Sequence, residues 1–321
     1  MLIDKEFTNE ELSEFDMEEQ GISERRVHTY SEHALKMGLP IDRLFVNHPG
    51  FADALSGLDR VFQLATEVDM PHGLKLSGPP GSGKTSLLRY FQRSLPPSSL
   101  FSQGLGAVYV RVPKRPNMGY LVGALLRQYG YPVRRSSPDA LEARINVLLE
   151  AIRQKGTRMI MFDEAHNLAS LLNKPAMGGQ GTSTTDFIRM LMDEARVGVV
   201  LAGSNLEDIR QLDDALQSRV VGEFQLVDFP YDKYWLGLLK RFVIQCDWFN
   251  LQILMARDIG LKLHECTCGN LRALKRLITE AVLVAAHKGA EAVEIGHLKL
   301  AYTMVYGGAA QKGNPFDVKP A

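Results

Sequence analysis

Residues 78–85 read Gly78-Pro79-Pro80-Gly81-Ser82-Gly83-Lys84-Thr85 and match the phosphate-binding pattern G-x-x-x-x-G-K-[ST]. The apolar run at residues 74–77 predicts a strand before this loop, and residues 86–91 predict a helix after it. Strand, loop and helix in this order are the context that the motif requires. Backbone N–H groups of such a loop close around phosphate oxygens, and the helix N-terminus adds positive potential. The stretch therefore predicts an α/β fold that binds ATP or GTP.

Two side chains of the loop have separate predicted roles. Lys84 is expected to reach the β- and γ-phosphates, and Thr85 is expected to ligate Mg²⁺. The other predicted nucleotide-binding positions of the loop and its helix are Gly78, Pro79, Pro80, Gly81, Ser82, Gly83 and Ser86.

Length, composition and cysteine count limit the class of protein. The chain has 321 residues, 45% of them hydrophobic, which suffices for a P-loop core and a second, smaller domain. No apolar run approaches the ~18 residues of a membrane span, and the acidic start is unlike a signal or transit peptide. We therefore expect no membrane partner. The chain has three cysteines, a number that leads us to expect a reduced, cytoplasmic protein.

A net charge of zero hides an asymmetry along the chain. Residues 1–20 contain eight acidic and one basic side chain, a net charge of −7, so residues 21–321 carry +7. An acidic N-terminal extension can cover a basic surface, and it can equally be a solvated tail. The basic remainder permits binding to nucleic acid without requiring it.

Apolar runs alternate with helical patterns over most of the chain. The predicted strands are residues 74–77, 107–112, 158–162, 197–202 and, more weakly, 223–227. The predicted helices around them are residues 51–68, 118–129, 138–155 and 183–195. This alternation predicts a five-stranded parallel sheet with helices on both faces.

After Pro230 the pattern changes to helices alone. These are predicted near residues 232–246, 250–263, 270–288 and 294–305. The predicted organisation is an acidic N-terminal extension at 1–40, a P-loop ATPase domain at 41–230, a small helical lid domain at 231–306 and a flexible tail at 307–321.

Two carboxylates follow the third predicted strand. Asp163 and Glu164 come directly after the apolar residues 159–162, and parallel strands end at the edge where the phosphate-binding loop lies. We therefore predict that Asp163 holds Mg²⁺ through water and that Glu164 polarises the attacking water. Two adjacent acids at this place predict hydrolysis of the nucleotide rather than binding alone.

The letters Asp-Glu-Ala-His at residues 163–166 also occur in DEAH-box helicases. Those enzymes need a second α/β half with its own arginine motif. Here about 155 residues follow, and the last 90 or so are predicted to be helical. The sequence therefore disfavours a helicase.

Further polar positions complete the predicted site. Ser204 and Asn205 follow the fourth strand, and either is placed to contact the γ-phosphate and the water. Arg219 is expected at a subunit edge, where it would reach a neighbour's site and stabilise transition-state charge. Arg272 opens a helix of the lid and is expected to turn back onto the phosphates of its own subunit.

This order of loop, Asp-Glu pair, polar strand end and two arginines is the signature of AAA+ ATPases, which the chain resembles. Residues 110–116, 162–168 and 212–219 are similar to the TnsC/TniB group of DNA transposition regulators. The resemblance covers about residues 40–285 and implies an AAA+ core with a helical lid, ATP as the nucleotide and an ATP hydrolase activity. Residues 173–182 are longer and richer in glycine than the resemblance leads us to expect, and the acidic extension and the tail have no clear counterpart.

The resemblance also implies partners. Members of the group form a ring or helical filament with ATP around double-stranded DNA, and they contact a transposase and a target-selection protein. Lys114 and Arg115 follow the second strand, in the region that lines the DNA-facing channel of the family, and would grip phosphates without reading sequence. Arg144 and Arg153 on neighbouring elements are further predicted DNA contacts.

The base of the nucleotide is expected to lie against Val46 and His48, with help from the lid. Adenine is implied by the family, and no guanine-reading N-K-x-D motif follows the fourth strand. A histidine beside an apolar patch is more often a packing residue than a base reader, and both roles stay open for His48.

Two other functions compete with transposition regulation. One is a replication initiator or helicase loader; initiators usually append a winged-helix domain, for which the sequence after residue 290 is too short. The other is a regulatory ATPase that binds a protein client and no DNA. A DNA affinity that depends on salt and requires ATP would separate a DNA-acting protein from the client-binding one.

Overall fold

The computed structural model describes residues 29–96, 105–114, 116–131, 140–168, 184–204, 216, 218–307 and 313–317. These residues divide into two compact units. The α/β unit contains the described residues of Phe45–Pro230 and Cys268–Arg272, and the helical unit those of Met1–Leu44, Tyr231–Thr267 and Ala273–Ala321.

The α/β unit is built on a five-stranded sheet in the order β2-β3-β4-β1-β5, and all of its pairings are parallel. The strands are β1 (Gly73–Ser77), β2 (Ala107–Arg111), β3 (Met159–Asp163), β4 (Gly198–Gly203) and β5 (Gly222–Gln225). Every residue of β3 and β4 is buried, as expected where helices cover both faces of a parallel sheet. The predicted α/β class and the five parallel strands are confirmed.

Helices connect the strands and cover the sheet. In this unit they are α2 (Pro49–Leu64), α3 (Lys84–Ser94), α4 (Met118–Gln128), α5 (Leu141–Gln154) and α6 (Thr184–Glu194). Helix α2 begins with proline, whose missing N–H costs nothing in the first turn. Helix α4 begins where the Asn117 side chain accepts a hydrogen bond from the Tyr120 N–H. Buried residues of α4, α5 and α6 form one core with β2, β3 and β4.

The helical unit contains α1 (Glu32–Arg43), α7 (Lys233–Gln245), α8 (Arg257–Thr267), most of α9 (Leu271–His287) and α10 (Ile295–Tyr306). A single helix predicted at 250–263 is instead a short 3₁₀ turn, Gln252–Met255, followed by α8. The backbone is extended at Ala256 between them, and Asn250 bridges to Ala292, so a tertiary contact interrupts the helical pattern. Within the described ranges, no helix has both the length and the apolar character that a membrane span requires.

Residues 29–44 belong to the helical unit, whereas the sequence-based division separated residues 1–40 from the lid. Helix α1 packs closely on α9, because a Cβ on Gly38 would lie 2.6 Å from the Leu283 side chain. At its other end, the Lys275 ammonium donates to the carbonyl oxygen of Asp42 at 2.9 Å. Such long-range contacts place this helix in the unit formed by the second half of the chain.

Candidate nucleotide site

The phosphate-binding loop joins β1 to α3, and a Cβ on any of its three glycines would lie 2.1–2.5 Å from a neighbouring atom. A Cβ on Gly78 would lie 2.1 Å from the carbonyl oxygen of Leu226. Gly83 has φ 99°, a left-handed conformation, and a Cβ there would lie 2.5 Å from the Phe51 ring. Because Gly83 directly precedes α3, the loop amides and the helix N-terminus present positive potential at one place.

Lys84 is the first residue of α3, and its ammonium is partly buried among oxygen acceptors. Nζ donates to the carbonyl oxygens of Gly78 at 2.7 Å and Pro79 at 2.9 Å. Burial lowers the pKa of Lys84, and the nearby carboxylates of Asp163 and Glu164 oppose this shift. The cation therefore lies where nucleotide phosphates would replace the carbonyls as its partners.

Asp163, at the end of β3, is 2% exposed and is held by several donors. Its Oδ2 accepts hydrogen bonds from the Thr85 hydroxyl at 2.7 Å and from the Tyr109 hydroxyl at 2.7 Å. Its Oδ1 accepts from the Glu164 N–H at 2.9 Å. Burial raises the pKa of Tyr109, so its phenol is a donor at neutral pH.

The pair predicted to hold Mg²⁺ is thus brought together. Thr85 and Asp163 supply a hydroxyl and a carboxylate, and oxygen ligands of these types are the ones that Mg²⁺ prefers. The Asp163 charge is buried beside the phosphate-binding loop, where a divalent cation would balance it. The residues present therefore fit a magnesium site.

Glu164 has a different environment from the neighbouring Asp163. Its backbone is left-handed, with φ 56°, a conformation that is uncommon outside glycine and costs about 1–3 kcal/mol. Its side chain is 35% exposed, and the carboxylate lies 3.6 Å from both Arg111 Nη2 and His166 Nε2. A buried carboxylate suited to a metal and a solvent-accessible one suited to a water molecule therefore stand side by side.

The polar residue predicted after the fourth strand lies at the same edge of the sheet. Ser204 is exposed and follows β4 directly. Because β4 lies between β1 and β3, Ser204 emerges between the phosphate-binding loop and Asp163. Asn205, the alternative for the same role, lies outside the described residues.

The segment that precedes α9 packs on the phosphate-binding loop. The Asn270 amide donates to the carbonyl oxygen of Pro80 at 3.0 Å and to Oδ1 of Asp228 at 2.8 Å. The Arg272 N–H donates to the carbonyl oxygen of Gly81 at 3.1 Å. Arg272, the predicted lid arginine, is thus anchored beside the loop by its backbone, and its side chain is exposed.

These contacts lead to a prediction for Asn270. Asn270→Ala removes the hydrogen bond to the loop carbonyl of Pro80 and the one to Asp228, so ATP affinity is expected to fall about fivefold and the free energy of unfolding by about 1–2 kcal/mol. Calorimetric titration and urea unfolding measure the two effects. Asn117→Ala is the control, because it loses a helix cap worth about 1 kcal/mol and leaves the loop intact. Equal ATP affinities in the two variants would contradict the role of Asn270.

Arg219 forms an ion pair with Asp193 of α6, and its side chain is 18% exposed. Its carbonyl oxygen accepts a hydrogen bond of 2.7 Å from the N–H of Gly73, the first residue of β1. The guanidinium is therefore held by its own α/β unit. A role for Arg219 in a neighbouring subunit's site stays a prediction.

The residues predicted to pack against the base form part of an apolar cluster. Val46 is 2% exposed. The His48 ring lies 4.0 Å from the Phe51 ring and 4.7 Å from the Phe229 ring, centroid to centroid. Phe51 in turn lies against Gly83 of the loop. His48 thus has a packing role, and its contact with a base stays a prediction.

The predicted DNA contacts differ in their surroundings. Lys114 is exposed just beyond β2, and Arg115 lies outside the described residues. Arg144 donates to the carbonyl oxygen of Gly119 at 3.5 Å, and Arg153 donates to the last carbonyl of α6 at 3.1 Å. Of the three described side chains, Lys114 and Arg153 are exposed and Arg144 is half-buried.

Sequence reasoning assigned no role to Tyr109, Arg111 or Asn270, although the structure places all three against site residues. Tyr109 and Arg111 alternate along β2, and Arg111 is in register with Asp163 of β3. The sequence signal for Tyr109 and Arg111 was that polar side chains occupy every second position of an otherwise apolar strand. The pairing of β2 with β3 is what connects that signal to the site.

Together the fold and the site define the class of protein. A five-stranded parallel sheet, a P-loop after β1, an Asp-Glu pair after β3 and an arginine at the start of α9 make the chain an AAA+ ATPase. The family model of the bacterial TniB protein matches residues 41–228, which is more than half of the chain. The chain belongs to the TniB family.

Solved structures show the same fold at low sequence identity. The ORC2 protein of Aeropyrum pernix in its ADP form is similar with a TM-score of 0.55 and 16% identity, covering 78% of this chain and 67% of that chain. The ORC1 protein of Aeropyrum pernix in complex with DNA has a TM-score of 0.54 and 20% identity, covering 81% and 66%. Cdc6p of Pyrobaculum aerophilum has a TM-score of 0.52 and 18% identity, covering 79% and 67%. No curated protein sequence matches the chain.

Proposed function

We propose that this TniB-family ATPase regulates DNA transposition. It assembles with ATP on double-stranded target DNA, recruits and activates a transposase, responds to a target-selection protein and leaves the DNA when ATP is hydrolysed. The observation that carries the proposal is the family match over residues 41–228, because this region contains the phosphate-binding loop, the Asp-Glu pair and Arg219. A cytoplasmic location agrees with this function.

ATP and Mg²⁺ are the proposed ligands of the site. Lys84 and the loop amides would bind the phosphates, while Val46 and His48 would border the base. Mg²⁺ held by Thr85 and Asp163 would neutralise charge on the β- and γ-phosphates. The ADP form of the Aeropyrum pernix ORC2 protein supports a nucleotide in a fold of this kind.

The residues at the edge of the sheet would have separate roles in hydrolysis. Glu164 accepts the proton of the attacking water, since its carboxylate is solvent-accessible. Ser204 or Asn205 orients that water, and Arg272 contacts the phosphates from the same subunit. Arg219 would leave Asp193 and stabilise transition-state charge in the neighbouring subunit. Hydrolysis would then depend on assembly and would also end it.

Double-stranded DNA is the proposed polymer on which the subunits assemble. Lys114 supports this proposal because it is exposed beyond β2 and lies next to Arg115. Among proteins of the same fold, the Aeropyrum pernix ORC1 protein was solved in complex with DNA. Contacts of this type bind phosphates, so they tolerate any sequence and weaken with salt.

Removing both charges by Lys114→Ala with Arg115→Ala is expected to lower DNA affinity about tenfold at 0.1 M salt and leave ATP affinity unchanged. Each lost phosphate contact should reduce the slope of log affinity against log salt by about 1 per subunit. Fluorescence anisotropy at several salt concentrations measures both quantities. Lys240→Ala with Arg241→Ala is a matched control, since this adjacent pair is exposed on α7 of the helical unit. An unchanged salt slope in the first variant would contradict the DNA contact.

Electron microscopy of the protein with a slowly hydrolysed ATP analogue, with and without double-stranded DNA, tests the proposed function. Rings or filaments that require both ligands would support it, and stimulation of strand transfer by a partner transposase would separate it from a replication initiator or helicase loader. Monomers under every condition would oppose it and favour a client-binding ATPase.

A further inference from the structure

Tyr109 contacts the carboxylate predicted to hold the metal. Its hydroxyl donates a hydrogen bond of 2.7 Å to Oδ2 of Asp163. The strand register explains the contact: Arg111 is paired with Asp163, and Tyr109, two residues earlier, faces the same side of the sheet and reaches its diagonal neighbour. Arg89 of α3 lies over the ring, with Cζ 5.4 Å from the ring centroid. The phenol therefore contacts both the helix of the P-loop and the end of β3.

The hydrogen bond from Tyr109 to Asp163 differs from the other two that Asp163 accepts in the role of its donor. Thr85 donates to the same oxygen, but its own hydroxyl is predicted to ligate the metal. The backbone N–H of Glu164 fixes the other oxygen, Oδ1. Tyr109 is thus a donor to Oδ2 that is not itself a predicted ligand. Carboxylates at metal sites are commonly oriented by such hydrogen-bond partners, and losing one partner typically lowers metal affinity 10–100-fold.

We propose that Tyr109 is a positioning residue for the magnesium site: its hydroxyl orients Asp163 toward the cation, and Arg89 keeps the ring in place. The inference rests on the proposed binding of ATP with Mg²⁺. It goes further in assigning to β2 a side chain that tunes the metal affinity of the carboxylate on β3.

The Tyr109→Phe variant keeps the ring and removes the hydroxyl. Titration of Mg²⁺ into the full chain with a fluorescent ATP analogue should show an apparent Kd for Mg²⁺ raised about tenfold. Affinity for the analogue in the presence of EDTA should stay within about twofold, and turnover at saturating Mg²⁺ should recover most of the wild-type rate. A merely structural loss would instead lower affinity in EDTA and turnover together.

A second variant and a matched control make the test specific. Arg89→Leu leaves the hydroxyl and removes the cation above the ring, so a smaller rise of about two- to fivefold is expected; it also provides the test if Tyr109→Phe does not fold. Tyr129→Phe removes another buried hydroxyl, which donates to Thr157 at 2.9 Å, and should leave the Mg²⁺ titration unchanged.

Equal Mg²⁺ affinities in wild type, Tyr109→Phe and Tyr129→Phe would overturn the role of Tyr109 while leaving the magnesium site standing. Wild-type protein that binds the analogue equally well with Mg²⁺ and with EDTA would overturn the magnesium site itself, and Tyr109 with it. The two failures are therefore distinguished by the wild-type titration alone.

Discussion

The Glu164→Gln variant is expected to bind ATP and DNA as the wild type does and to hydrolyse ATP at least ~100-fold more slowly, because a general base contributes about 10²–10⁴-fold. The amide keeps the size and polarity of the side chain but cannot accept the proton of the attacking water. Asp163 is buried and held by hydrogen bonds, so it cannot replace Glu164. The metal site and the phosphate-binding loop are untouched by the change.

Phosphate release in the steady state measures the loss of turnover, and the lifetime of the protein on DNA measures its consequence. If hydrolysis dissolves the assembly, lifetimes should lengthen by a factor similar to the loss of turnover. Glu150→Gln is the control, because Glu150 is exposed on α5 and accepts a hydrogen bond from Gln154 of the same helix. Equal lifetimes for Glu164→Gln and wild type would exclude hydrolysis as the step that ends assembly.

The sequence predicts the sheet well because its signals are local. Buried parallel strands are short apolar runs, and the predicted strands at residues 107–112 and 197–202 lie within about two residues of β2 and β4. The phosphate-binding loop identifies the preceding strand as β1. Because parallel strands end at the same edge of the sheet, Asp163 and Ser204 are then predicted to lie in the site. The contact between Thr85 and Asp163, 78 positions apart, follows from that rule.

Contacts that depend on register or on distant packing could not be predicted in the same way. The hydrogen bond between Asn270 and Pro80 joins residues 190 positions apart, and nothing local to either residue indicates it. From the sequence alone, Tyr109 is an aromatic residue of a strand, and only the pairing of β2 with β3 shows that it contacts Asp163. From the sequence alone, Arg219 is a basic residue before a strand, and only the fold shows its ion pair with Asp193 of α6. In each case a tertiary neighbour determines the chemistry of the side chain.

Helix α1 shows a further limit of local reasoning. Its sequence is polar on average, and its buried residues are Ala34, Gly38 and Ile41. Two of these are small, so the apolar stripe is weak as a pattern and still suffices for close packing on α9. Composition alone therefore assigned this segment to an extension, whereas its contacts assign it to the helical unit.

The Lys84→Ala variant is expected to lose ATP binding by roughly 10²–10⁴-fold. The ammonium donates two hydrogen bonds to loop carbonyls, and in the complex it would donate to phosphate oxygens instead. Hydrogen bonds between charged partners are worth about 1.5–3 kcal/mol each, and every 1.4 kcal/mol is about a factor of ten in affinity. Two such bonds give the expected range.

Thermal unfolding with and without ATP separates this effect from a loss of fold. A ligand at about 100 times its Kd stabilises the native state by about 2.7 kcal/mol, which corresponds to a rise of about 5–10 °C in the unfolding midpoint of the wild type. Lys84→Ala should show no such rise. Its midpoint without ATP should stay close to that of the wild type, because burial already disfavours the charged form of Lys84 and lowers its pKa. Lys155→Ala, which removes an exposed lysine at the end of α5, should keep the full rise. If ATP raised the unfolding midpoint of Lys84→Ala as much as that of Lys155→Ala, ATP would bind away from the loop. The roles proposed for Thr85, Asp163 and Glu164 in binding and hydrolysing ATP would then also be wrong.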